Sequence, residues 1–427
     1  MRYAILGLFA FVHLGAAPLD VIVSAQSSAA AELVCVIERP SPGWLHTFVK
    51  DYVTTLVQST GQFQVAIREV ETAQKRQRIE QFADDGFGLA LFFSADDHDT
   101  LTWRLYDTIS VAQVRGKQCM RGQQTLAEWA ISVVDGFWVD LTGQPSSFAS
   151  LIAACRQAPH NKKRVNNELY LLHPFLGPQQ CGYIRLAAGN NFAPRWHANK
   201  SVVFYSQHTP FNVRLMAVYP EMVSQVIMNR EGQNMTPAIA PDGRVVLALS
   251  DNDQVRLYEY RFDKALKKSF LTCLTHGAGD FISPSFIDER RVIFCHVDDQ
   301  NMPRLGFLDV STRAITWLSV GNALSPSAHR ATHRIAYSKK VNGIYQLFVY
   351  DCQKHHETQL TADAMDKDEC SWSPCGNYIA CCAQTATKSR IAIIDVGDRR
   401  MRFITPANQR WSYPAWSPVQ HIPFLFR

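Results

Sequence analysis

The chain has 427 residues, 47% apolar and 11% aromatic, which suits an ordered globular protein with more than one core and excludes an extended disordered chain. Its 43 basic and 38 acidic residues leave a mild net charge of +5. No basic stripe of the kind that tracks a phosphate backbone is present, because Lys162-Lys163-Arg164 is short and reads as a solvated loop.

In chain order, Arg2 precedes an apolar run from Tyr3 to Ala17, and small residues follow at Val23-Ser24-Ala25. This reads as an export signal over residues 1–25, with Ala16 or Ala17 as the alternative cleavage point. The run is too short for a membrane span and no later segment reaches that length, so a protein soluble in an exported compartment is expected.

Residues 26–144 form a separate α/β domain. Leu33 to Ile37 reads as a strand, and Leu45, Phe48, Val49, Tyr52, Val53, Leu56 and Val57 then recur at helical spacing up to Gly61. Next come a strand at 63–67, a polar helix at 71–83, a buried strand at 89–93 and a hairpin pairing 101–106 with 111–114. The domain closes with a helix carrying Leu126, Trp129, Val133, Phe137, Trp138 and Leu141, ended by Gly143. Alternating strands and helices predict one sheet with packed helices, and Gln144 to Ser147 is the linker.

From 145 to 427 the rhythm changes to a repeat. Pro194, Pro237, Pro284, Pro326, Cys370 and Pro414 each stand two residues before an inward apolar position, at intervals of 43, 47, 42, 44 and 44 residues. A second apolar strand follows each, across a tight turn whose fullest form is Pro241-Asp242-Gly243. A third strand ends in Asp309, Asp351 or Asp395, and a fourth in Ser319, Thr361 or Thr405. Four short strands per 40 to 45 residues predict β-propeller blades. Strands at 148–155 and 168–172 lack a first strand, whereas the last copy, with segments at Trp416 and Phe424, lacks its final strands. Joining the two halves predicts a six-bladed β-propeller whose last blade is closed from both ends, which removes exposed strand edges.

The order of signal, α/β domain and six such repeats, ending in Tyr413-Pro-Ala-Trp-Ser-Pro418, resembles the TolB family of the Tol-Pal envelope system. Tyr106-Asp107-Thr108 and Asp140-Leu-Thr-Gly143 extend the match to the first domain. The third and fourth blades depart from it, with Ser285-Phe286-Ile287-Asp288 and Ser327-Ala328-His329-Arg330 in place of Trp-Ser-Pro. The resemblance implies a non-enzymatic periplasmic docking protein, with a Pal-like lipoprotein at the propeller and a TolA-like protein at the mature N-terminus.

Catalytic motifs are missing: the sequence holds no Gly-x-Ser-x-Gly elbow, no His-Glu-x-x-His helix and no phosphate-binding glycine loop. The repeated Asp309, Asp351 and Asp395 read as turn-closing acceptors rather than catalytic carboxylates, His355-His356 as a solvated turn, and Trp196, Trp372 and Trp416 as interblade core. The alternative is a hydrolase or lyase acting on wall peptides or sugars in the channel, which would need clustered acid and base groups facing the axis. No cofactor or metal is expected, since the eleven cysteines contain no Cys-x-x-Cys pair. Export favours disulfides, and a hairpin pairing Ser373 with Tyr378 would set Cys370 opposite Cys381, a candidate bridge.

The loops leading into each first strand ring one mouth of the channel. Asn191, Phe192, Gln233, Asn234, Asp280, Phe281 and Trp411 are the candidate partner-binding residues there, with Phe281 and Trp411 as apolar anchors and Asn191, Asn234 and Asp280 as polar rim.

Overall fold

A computed structural model describes residues 30–418 except 97, 159–165, 236, 252–253 and 264–267. The export signal, Lys162 to Arg164 and the segment around Phe424 lie outside the described residues.

In the first domain β1 (Ala31–Arg39) is an inner strand of a five-stranded mixed sheet. It pairs in parallel with β2 (Phe63–Glu71) and with β3 (Leu89–Ala95), and β4 (Thr100–Asp107) and β5 (Ala112–Met120) extend the sheet antiparallel in the order β2-β1-β3-β4-β5. Leu33 to Ile37 is apolar throughout because both faces are covered. Leu33, Cys35 and Ile37 pack into the cluster of the longer helices, while Val34 and Val36 pack against Ile79 and Phe82 of helix Lys75–Asp84. The first helical run, Gly43–Thr47, Phe48–Val53 and Thr54–Ser59, has a π turn at its centre. Helix Leu126–Thr142 opens on a capping box between Thr125 and Glu128 and ends at Gly143 with φ 68°, as the glycine stop in the sequence requires.

The remainder is a ring of six four-stranded sheets. The innermost strands are Asn190–Trp196, Ala238–Ile239, Asp280–Phe286, Ala323–His329, Asp366–Trp372 and Trp411–Trp416, in blades one to six. Blade six is closed from both ends of the propeller, but by one strand and three rather than two and two. Trp411–Trp416 pairs with Ile152–Gln157, followed by Asn167–Leu172 and Ile184–Ala187. The place foreseen for a strand at Phe424 is held by Ile152–Gln157, and the fourth strand is too short and too exposed to leave a periodic signal. The seam is tight: Leu151 N donates to Ser417 Oγ at 3.0 Å, Ser417 N to Leu151 O at 2.8 Å, and Trp416 Nε1 to Ser150 Oγ at 2.7 Å.

Repeated side chains hold repeated turns. One carboxylate oxygen of Asp309 accepts from the backbone N–H groups of Ser311 and Thr312, that of Asp351 from Gln353 and Lys354, and that of Asp395 from Gly397 and Asp398. The threonines ending the fourth strands return a hydroxyl to the third, as in Leu257 N to Thr275, Leu347 N to Thr361 and Ile391 N to Thr405. Inner strands of five blades also share a bulge. Ala193, Ser283, Ser325, Glu369 and Tyr413 have φ between 47° and 57°, and the pairing register slips at each. A left-handed non-glycine residue costs on the order of 1 kcal/mol, offset here by burial on both sides. Four of the five precede a proline, whose missing N–H goes unused where the ladder is broken.

The two domains share one hydrophobic cluster. An aromatic series runs from Phe63 to Trp138 (6.0 Å between ring centres), Phe148 (4.9 Å), Phe175 (5.0 Å) and then Tyr378 (5.6 Å). Asn377 Nδ2 donates to Gln144 Oε1 at 2.9 Å, and the Arg400 guanidinium donates to Gly61 O. Since strands alternate in direction, the turns carrying Asn377 and Arg400 lie where the inner strands end. The α/β domain therefore sits on that face, and the inner strands begin on the opposite, distal face.

Candidate functional site at the propeller channel

The inner strands wall a cavity of about 340 Å³ that opens on the face carrying the α/β domain. It is built by the segments around the repeat prolines, from Arg195 and Trp196 through Pro284 to Phe286, Pro326 to Ala331 and Cys370 to Pro374, and then Trp416. The repeat that reads as a folding motif is thus also the channel wall. A second cavity, of about 630 Å³, lies between the turns that leave the inner strands of blades three and four, with Arg330 at its edge, where Arg290 pairs with Asp309 at 3.0 Å and Arg291 with Asp288 at 2.6 Å.

Within the wall, blades hold one another through side-chain bonds to the neighbouring backbone. Trp196 Nε1 donates to Ala415 O at 2.9 Å and Trp372 Nε1 to Ser327 O at 3.0 Å. The Ser285 hydroxyl accepts from Ala328 N at 3.0 Å and the Ser371 hydroxyl from Trp416 N at 2.8 Å. These tryptophans are interblade core, as their spacing foretells.

None of the seven residues expected at the mouth lines this cavity. They lie toward the distal face, and most of the supposed loops are the first halves of the inner strands. Trp411 is 0% and Phe281 3% exposed, which corrects their assignment as surface anchors. Trp411 is packed against Tyr170 (5.7 Å) and Tyr183 (5.1 Å), and Phe281 between Phe294 (5.6 Å) and His296 (4.6 Å). The alternation of the strand points both rings inward, which a loop reading of their position does not anticipate.

Asn191 and Asn234, both 0% exposed, are likewise not rim donors. Asn191 accepts from Gln207 Nε2 at 3.0 Å, and Asn234 Nδ2 donates to Val213 O at 2.7 Å. Asp280 accepts from Val255 N at 2.7 Å, joining blades two and three, just as Asp366 accepts from Tyr345 N at 2.8 Å between blades four and five. Phe192 remains half-buried, stacked on His208 at 4.6 Å, and Gln233 is exposed beside Ser250. Phe211, 94% exposed in a turn between second and third strands on the same face, went unnoticed in the sequence because it lies outside the repeat.

The expectation of a Cys370–Cys381 bridge is also corrected, since all eleven cysteines are free thiols. The bulge at Glu369 breaks the register beside Cys370, whose thiol donates to Ser325 O of the next blade at 3.2 Å. Burial pushes both thiols up, away from the reactive thiolate.

Sequence reasoning also passed over two adjacent carboxyls on the bulge of blade five. Burial, reinforced by the Asp368 charge, pushes Glu369 up to about 8, and burial raises Asp368 as well. Both act as clasps: Glu369 Oε2 accepts from Tyr413 N of blade six at 2.5 Å, and Asp368 Oδ1 from the Ser338 hydroxyl of blade four at 3.3 Å. Among the described residues no group of three or more His, Cys, Asp or Glu side chains is placed to hold a metal ion. No described helix is long and apolar enough to cross a membrane.

A family model of the TolB β-propeller domain matches residues 138–420. Among solved structures, TolB from Acinetobacter baumannii is similar over 91% of this chain and 97% of its own, with 16% identity and a TM-score of 0.76. Hydrazine synthase of Kuenenia stuttgartiensis shares a fold over 66% of this chain and 48% of its own, at 8% identity and a TM-score of 0.51. A putative TolB from Agrobacterium tumefaciens aligns over 60% of this chain and 89% of its own, at 11% identity and a TM-score of 0.45. No curated protein matches the sequence at a significant level.

Proposed function

Because the chain belongs to the TolB β-propeller family, we propose that it is a non-enzymatic docking protein of the periplasm, joining inner-membrane Tol proteins to a Pal-like peptidoglycan-associated lipoprotein. The observation that carries this reading is the match of both domains together, over 91% of this chain and 97% of the solved TolB. A propeller cap alone would fit many functions; this α/β domain docked on this ring narrows them. The Pal-like partner docks on the distal face, where Phe192, Gln233 and the fully exposed Phe211 offer apolar and polar contacts, while Asn191, Asn234, Asp280, Phe281 and Trp411 support that surface from beneath. A TolA-like partner engages the mature N-terminus. Such an assembly serves envelope integrity and cell division.

The test is capture of the soluble domain of the Pal-like lipoprotein from the same bacterium by the purified full chain. Replacing Phe192 and Phe211 together by Ala should weaken capture at least tenfold and leave the melting temperature nearly unchanged. Wild-type protein that fails to capture it, or turns over muropeptides instead, would overturn the docking reading.

A further inference from the structure

The cavity on the opposite face has a charge balance that the docking reading does not use. Its lining contains two guanidinium groups, Arg195 from blade one and Arg330 after the inner strand of blade four, and no carboxylate. In a ring of six these blades lie on opposite sides of the channel, and Arg330, at the rim, also borders the larger cavity lined by Asp288, Glu289 and Asp309. Among the described residues neither arginine has a carboxylate at ion-pair distance: Arg195 donates only to its neighbour's carbonyl, Pro194 O, at 2.9 Å, and Arg330 Nη1 is buried with no hydrogen-bond partner. In that larger cavity Asp288 and Asp309 are paired with Arg291 and Arg290, and Glu289 is exposed. Asp242, which feels the Arg330 charge, is paired with Arg244 at 2.7 Å. Glu369, which feels Arg195, clasps Tyr413 and stays uncharged at neutral pH because burial raises it to about 8. His329, the remaining basic group, lies between the Thr332 hydroxyl at 2.8 Å and Pro374 O at 3.3 Å, and burial keeps it neutral.

A buried guanidinium without a counter-charge carries a large desolvation cost, and an incoming carboxylate relieves it through short, charge-assisted bonds. Trp196, Pro237, Pro284 and Pro326 give the wall apolar surface, interrupted by Ser285 and Ser327. A volume of about 340 Å³ admits a short segment and not a folded domain.

We propose that this cavity binds a short acidic peptide segment of a partner protein, its carboxylate held between Arg195 and Arg330 and its flanking apolar side chains packed on Trp196 and the proline wall. This site is separate from the distal docking face and does not depend on it.

The experiment titrates the full chain with N-acetyl-Leu-Glu-Leu-amide and with its Gln counterpart, read by calorimetry and by tryptophan fluorescence. The Glu peptide should bind roughly tenfold tighter or more, and Arg195→Met and Arg330→Met should each remove that preference while leaving the Gln peptide unaffected. Equal binding of the two peptides, no saturable binding of either, or acetate binding as tightly as the Glu peptide would overturn the proposal. Should Arg195→Met fail to fold, Arg330→Met at the cavity's edge reads the same preference. The Phe192/Phe211 double variant should bind the Glu peptide as the wild type does, which separates failure of this site from failure of the docking face.

Discussion

Replacing Glu369 by Gln keeps the oxygen that accepts from Tyr413 N and removes the ionisable group. The sign of its effect follows from linkage. The carboxyl is raised from 4.5 to about 8 in the folded protein, so between those values the folded state holds a proton that the unfolded chain has released. Its contribution to stability is complete below pH 4.5 and is lost as pH climbs through 8. At ~1.4 kcal/mol per unit the whole rise corresponds to no more than roughly 5 kcal/mol, and solvent screening at this partly exposed side chain leaves on the order of 2–3 kcal/mol. For a ring of this size that is roughly 5 °C of melting temperature. Melting curves of wild type and Glu369→Gln, recorded by circular dichroism from pH 4.5 to 8.5, should coincide at the acid end and separate as pH rises, with the variant becoming the more stable. Asp368, raised in the same direction, is present in both proteins and drops out of the difference. Parallel profiles, or a wild type that gains on the variant with rising pH, would refute the argument that this carboxyl is enclosed and neutral.

Other outcomes can be checked separately. Trp411→Ala and Phe281→Ala should each lower stability by about 3–5 kcal/mol in denaturant titrations, because each empties a packed core site. Deleting residues from Trp411 onward should replace one cooperative transition of the ring by a broad one in calorimetry, since blade six loses the strand that closes it. Denaturation without reductant should expose all eleven thiols to alkylation, and a blocked pair in the peptide map would contradict the free-thiol arrangement. Asp351→Ala should cost about 1–2 kcal/mol by leaving two turn N–H groups without their acceptor.

The architecture was legible where the chemistry repeats. Proline at a broken ladder, aspartate at the third-strand turn and threonine at the end of the fourth each answer a backbone need that recurs once per blade, so spacing alone exposes the ring. The capping box at Thr125 and the stop at Gly143 mark a helix for the same reason: orphaned backbone groups at its ends demand particular residues. Blade six was harder, because Ile184–Ala187 alternates too briefly to distinguish a strand from a loop.

Direction was the part that the sequence concealed. Phe281 and Trp411 sit just ahead of a repeat proline, where a loop reading points them at solvent; each belongs to a bulged strand, and one residue of bulge decides which face a ring occupies. The same bulge sets Glu369 against Tyr413 N of blade six and breaks the ladder beside Cys370. A left-handed residue that is not glycine leaves no compositional trace, as Ala193, Ser283, Ser325, Glu369 and Tyr413 share no side-chain chemistry. The clasp between blades five and six therefore depends on a backbone feature invisible in the residue types.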